Sequence, residues 1–343
     1  MGHQIGWGLT LVFVGGMLNG SFAAPMKRLA AWRWENIWLG YSVSGLLILP
    51  WVIALATIPH LADVLHQCSA ATLLKTALFG FAWGIGGIMF GQGIARVGLA
   101  LGFAVILGIT SSFGSLLPLA ILHPDQLGSR QGLALIAGTL IMILGLVFLA
   151  VAGKRRERDQ ASGATSSSER RSGFTLGLVI CILSGIFSSM ANFAFVFGEE
   201  MRQFSLRAGA STAMSGNGIW AVAISTGFLP NAAYCLYLLN KNRTWSVYME
   251  KPGGAGYALG AALMGILWFT GLVVYGMGTA ALGSLGKIVG WPVFMSVDII
   301  AGILWGFLSG EWKGASRTAL ASCLTGIAIL FLAIGTISFG NAG

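Results

Sequence analysis

Charge is scarce in this chain. Asp, Glu, Lys and Arg make up 9% of its 343 residues, against the ~25% of an ordinary soluble domain. Too few polar side chains exist to cover a water-facing surface, which excludes a soluble globular protein. Cys68, Cys181, Cys235 and Cys323 form no CxxC pair, so their spacing suggests neither a zinc site nor a disulfide framework. No GxxxxGK[ST] phosphate loop is present, which disfavours a built-in ATPase. No nucleophile–base constellation stands out, so no enzyme is expected. His60, His66 and His123 lie near Asp63 and Asp125, but without the spacing of a metal site. No metal and no cofactor is therefore expected. The opening MGHQIGWGL lacks the basic region of a cleaved signal peptide, and residues 5–24 are expected as a retained first span.

What fills the chain instead is apolar. Hydrophobic residues make up 56% of it, and glycine contributes 51 residues. Glycine weakens soluble helices but lets membrane helices approach closely. A helix needs ~20 mostly apolar residues to cross the hydrocarbon core. Ten such runs occur, near 5–24, 36–58, 72–95, 97–122, 131–152, 173–198, 213–240, 255–280, 285–309 and 318–340. The expected class is an all-α polytopic membrane protein with membrane lipids around it.

The net charge of +9 lies in short loops rather than on one soluble face, so no nucleic-acid partner is expected. Of the 20 Lys and Arg, 15 fall in the loops after spans 1, 3, 5, 7 and 9. The positive-inside pattern makes those loops cytoplasmic and both termini periplasmic. The longest loop, residues 154–172, is charged and Ser/Gly-rich, as a flexible cytoplasmic linker would be. It separates 1–153 from 173–343, each with five spans. An odd number of spans inserts the second half upside down relative to the first.

The halves share a pattern. WGIGGIMFGQGIARVG from Trp83 matches WFTGLVVYGMGTAALG from Trp268 at a shift of 185, pairing Trp83 with Trp268, Gly86 with Gly271, Gly93 with Gly278 and Gly98 with Gly283. Weaker pairs join Gly8 to Gly177 at 169, Pro50 to Pro230 at 180 and Arg130 to Arg317 at 187. The fold expected is ten transmembrane helices as two inverted five-helix repeats. Such repeats characterise transporters that hold a solute near the bilayer midplane, and a proline within a span can free backbone carbonyls or act as a hinge there.

Two charges interrupt the ninth span. Lys287 and Asp298 are eleven residues apart, three helical turns or ~16 Å along one face. They are too far apart for a direct ion pair in a straight helix. Lys287 is close enough to the end to snorkel, or to act as a gate or substrate contact, and since burial disfavours a charge it joins Asp298 as a proton-coupling candidate. Asp298 sits near the midplane, where a short ionisable side chain suits a proton carrier or a hydroxyl acceptor. Glu35 reads as a helix N-terminal charge, and Glu199 with Glu200 as an interfacial rim. Softer polar candidates for a solute site are Asn19, Ser111, Ser188, Asn192 and Asn217. Trp83, Trp220, Trp268 and Trp291 could place an aromatic face against a sugar ring.

APMKRLAAWRWENIWLGYSVSGLLILPW, FAWGIG, GIARVGLALGFAVILGIT and GEWKGA resemble the bacterial L-rhamnose–proton symporter family of the drug/metabolite transporter superfamily. The resemblance runs along nearly the whole chain and implies ten helices in two repeats. It also implies proton-coupled uptake of a monosaccharide, such as L-rhamnose or a related 6-deoxyhexose, across the bacterial inner membrane. The family pattern carries amides or a Tyr where this chain has Gly87, Met89, Phe90 and Gly271, an Asp at Lys287 and a Tyr at Asp298. The alternative on the same scaffold is a facilitator or exporter of another small metabolite, with Lys287 binding an anionic group.

Overall fold

A computed structural model describes residues 2–97, 99–122, 124–160, 174–250, 254–283 and 286–339. Thirteen α-helices are present among them: α1 (Gly2–Gly20), α2 (Trp34–Ser42), α3 (Leu49–Thr57), α4 (Leu61–Gln67), α5 (Ala70–Val97), α6 (Leu99–Leu122), α7 (Arg130–Gln160), α8 (Phe174–Phe197), α9 (Glu199–Arg207), α10 (Asn217–Asn242), α11 (Ala255–Leu282), α12 (Gly286–Leu308) and α13 (Arg317–Phe339). No strand occurs among the described residues. Nine helices there are long and apolar enough to cross a membrane, and a shorter apolar stretch at Val105–Ile121 accompanies them. The protein is thus a polytopic all-helical membrane protein of about ten helices. Most of the linker expected at 154–172 lies outside the described residues.

The short polar helices α4 and α9 fill regions expected as loops; at seven and nine residues they are too brief for periodicity to reveal. The second expected span is α2 and α3 joined through a π-helical stretch, Val43–Ile48. Pro50 follows it at the start of α3. Proline has no N–H to give the preceding turn, and a wider turn absorbs the mismatch. Pro230 sits inside α10 without such a break.

The chain divides into two compact units, Met1–Ile85 with Met190–Gly290, and Gly86–Ser189 with Trp291–Gly343. Each draws on both halves of the sequence. Lipid tails are as apolar as leucine, so helices here associate through close packing of small residues. In the first unit α1 lies along α11. A Cβ at Gly15 would sit 2.8 Å from the Gly271 carbonyl oxygen, and one at Gly278 would sit 2.8 Å from that of Gly8. In the second unit α7 lies along α13, where a Cβ at Gly145 would meet the Gly326 carbonyl oxygen at 3.1 Å. Met142, Leu146, Ile299, Ile300, Leu330 and Ala333 form a core beside that contact.

The α1/α11 packing has a counterpart in the second unit, where α8 lies on the C-terminal half of α5. Gly8 faces Leu282, Gly278 faces Val12 and Gly271 faces Asn19; likewise Gly177 faces Val97, Gly93 faces Cys181 and Gly86 faces Ser188. Adding 169 to Gly8, Val12 and Asn19 gives Gly177, Cys181 and Ser188. Adding 185 to Gly86, Gly93 and Val97 gives Gly271, Gly278 and Leu282. All three contacts therefore map onto one another under the shifts found in the sequence.

Candidate functional site

WENIWLGY places Trp34, Trp38 and Tyr41 at helical spacing on one face of α2. That face begins a run of aromatic rings within the first unit. Trp34 stacks on Trp38 at 5.0 Å, Trp38 lies 4.9 Å from Tyr41, and Tyr41 meets Trp268 edge-on at 6.1 Å. Trp268 stacks on Trp83 at 5.2 Å with 25° between the planes. Phe22 closes one side, 5.5 Å from Tyr41.

Amides fix this run in place. Asn19 Nδ2 donates to the Trp268 carbonyl at 2.9 Å. Asn231 accepts from Trp38 Nε1 at 3.0 Å and donates to the Gly227 and Gly84 carbonyls at 2.9 and 3.2 Å. Tyr41 and Trp268 are buried, whereas Trp34, Trp38 and Trp83 are half-buried. The half-buried rings of Trp34, Trp38 and Trp83 could meet the apolar C–H face of a sugar.

Among the described residues, buried Ser42 Oγ, Thr76 Oγ1, Trp220 Nε1, Ser225 Oγ, Trp32 Nε1 and Asn36 Oδ1 of this unit, and Thr139 Oγ1 and Arg156 Nε of the second, have no hydrogen-bond partner within the protein. Buried polar groups are nearly always paired, and ordered water is the usual partner where the protein supplies none.

The other expected site residues disperse. Trp220 stacks on Phe195 at 4.8 Å, and Tyr275 beside them donates from its hydroxyl to Asn192 Oδ1 at 3.2 Å. Asn217 donates to Thr57 Oγ1 at 3.0 Å. These belong to the first unit. In the second, Ser111 and Ser296 both donate to Met142 Sδ at 3.3 Å, and Trp291 Nε1 donates to the Thr110 carbonyl at 3.4 Å. Ser188 is half-buried against Gly86. Asp298 is half-buried on α12, and a Cβ at Gly302, one turn on, would meet nothing within 4 Å. The Lys287 side chain lies outside the described residues. Trp34, Trp38, Tyr41 and Asn231 were not expected; the signal for the three rings was the aromatic spacing i, i+4, i+7, which an interfacial belt also explains, and Asn231 had none.

Among the described residues, no group of three or more His, Cys, Asp or Glu could hold a metal. Near the start of α2, burial pushes the Tyr248 phenol up to about 12.

A family model described as L-rhamnose-proton symport protein (RhaT) matches residues 1–343. The L-rhamnose-proton symporter of Cronobacter sakazakii is 28% identical over 349 residues, covering all of this chain and 99% of the relative. That of Enterobacter sp. (strain 638) is 29% identical over 349 residues and all of both chains. That of Yersinia pestis (strain Pestoides F) is 28% identical over 351 residues, again all of both.

Proposed function

The chain belongs to the L-rhamnose–proton symport family, and on that premise we propose that it imports a monosaccharide, L-rhamnose or a related 6-deoxyhexose, together with protons. It is a transporter, not an enzyme. Its place is the bacterial inner membrane, with the basic loops cytoplasmic and both termini periplasmic. The working parts are two inverted repeats, residues 1–153 and 173–343, joined by the 154–172 linker.

The observation that carries this reading is the Trp83–Trp268 stack. These residues correspond under the 185 shift, and they touch. Two residues related by a two-fold axis can touch only if they lie close to that axis. Transporters built from inverted repeats bind their solute there, near the midplane. The half-buried Trp83 and Trp38 rings are the faces one hexose meets, with Trp268, Tyr41 and Asn19 holding them in place from behind. Asp298 is the group that takes up and releases the proton, the one ionisable side chain in the candidate span Val289–Leu308. Lys287, at the second position of α12, contacts solute or gates its path. The further candidates for solute contact are Asn192, Asn217 and Trp220 in the first unit and Ser111, Ser188 and Trp291 in the second.

The test is uptake of labelled L-rhamnose into membrane vesicles under an imposed pH gradient. Accumulation should appear with the gradient and collapse on adding an uncoupler. Accumulation that survives the uncoupler removes the proton, and absence of rhamnose uptake removes the sugar.

A further inference from the structure

Glu35 is 5% exposed, yet it forms no ion pair among the described residues. Its Oε1 accepts from Asn242 Nδ2 at 3.0 Å and from Thr244 Oγ1 at 2.9 Å. Asn36 beside it donates to the Thr244 carbonyl at 3.0 Å, and Tyr248 donates to the Asn36 carbonyl at 3.2 Å. Arg33 is the cation in electrostatic reach of Glu35. These contacts tie the start of α2, in the first half of the sequence, to the end of α10, in the second. They lie on the face of the basic loops.

The opposite face of the same unit holds a second carboxylate joining the two halves. Glu200 on α9 accepts from Ser69 Oγ at 2.6 Å, from the Ser69 N–H at 3.2 Å and from Thr72 Oγ1. Ser69 and Thr72 sit at the N-terminus of α5, whose free N–H groups favour an anion. Both acids therefore use neutral donors of the other half, one at each end of the unit. Neutral donors release a carboxylate to water more readily than a cation partner would, as a contact that must break and re-form requires.

We propose that Glu35 and Glu200 are alternating end clasps of the transport cycle: the Glu35 clasp parts when the basic-loop side opens, and the Glu200 clasp parts when the other side opens. This rests on the transporter reading above. Parting the first would expose Cys235, which is fully buried on α10 and within electrostatic reach of both Glu35 and Tyr248.

The test is alkylation of Cys235 by N-ethylmaleimide in the full-length protein, followed by the mass of its peptide so that the other cysteines do not interfere. The double variant Asn242→Ala/Thr244→Val removes the donors while leaving the Glu35 charge beside Cys235, and should speed that alkylation about tenfold, the scale of one lost charge-assisted bond. Should that variant fail to fold, Glu35→Ala should speed alkylation more than Glu35→Gln, which loses the same charge but keeps an acceptor oxygen for the donors. Glu200→Ala should not speed it. An unchanged rate in the folded Glu35 or donor variant overturns the proposal, and so does equal acceleration by Glu200→Ala, which would mean general loosening. Alkylation needs no sugar, so a protein that shows this contrast but takes up no L-rhamnose sinks the sugar reading alone. A protein that takes up L-rhamnose without the contrast sinks the clasps alone.

Discussion

The α1/α11 pair and the α8/α5 pair repeat one packing plan and differ in what they do with it. The glycine contacts correspond position by position. At the site-facing end they diverge. Asn19 spends its amide on the Trp268 carbonyl, while its counterpart Ser188 carries a shorter side chain with no amide. Ser184, the counterpart of Gly15 at the 169 shift, donates instead to the Gly86 carbonyl at 2.9 Å. The charges are one-sided as well. Asp298 lies in α12, whereas α6, the fourth span of the other half, carries no ionisable residue. Repetition builds the scaffold, and the departures from it are where the proposed ring face and proton carrier lie.

The largest expected effect tests that one-sidedness. Asp298→Asn should abolish accumulation of sugar while sugar exchange continues, measured by uptake and counterflow in vesicles. Accumulation at the wild-type level would move the proton carrier elsewhere. Next comes the shared scaffold. Gly271→Ala and its counterpart Gly86→Ala should each cost about 1–3 kcal/mol by overpacking, read as matched drops in melting temperature of the purified protein. Unequal drops would show that the two pairs do not bear equal load. A smaller effect should separate the stacked tryptophans. Trp83→Ala, whose ring is half-buried, should weaken sugar affinity by up to about tenfold, the upper range of an aromatic pair, with little loss of stability. Trp268→Ala should lose stability too, since its ring is buried. The smallest concerns Asn19→Ser, which makes the first pair resemble the second. Loss of that hydrogen bond should lower stability by about 1 kcal/mol, seen as a shift in the melting curve.

The spans were legible because hydrocarbon demands a length and a composition that any window of sequence displays. α8, expected at 173–198, occupies Phe174–Phe197, and α11, expected at 255–280, occupies Ala255–Leu282. The Trp83 and Trp268 blocks were legible as similar segments, but nothing in a one-dimensional match says that the two rings meet. Glu35 was read as a helix-end charge, and that is where it sits. Its burial escaped notice because its partners, Asn242 and Thr244, are 207 and 209 residues away. Glu200 escaped likewise, since Ser69 is 131 residues away. Trp220, Ser111 and Trp291 were chosen by residue type, and type alone does not say whether a ring or hydroxyl packs or faces a solute.

The π-helical turn at Val43–Ile48 gives the second span tolerance to a change in length at one place only. A π turn arises where one residue more than the α ladder needs is wound in, so the wider turn absorbs that residue and leaves the flanking helices nearly in phase. Removing one residue from that stretch would let the helix close as plain α with Trp34, Trp38 and Tyr41 still turned toward Trp268. The same deletion inside the regular turns of α2 would rotate the aromatic wall by about 100°, carrying it away from Trp268 without altering any side chain.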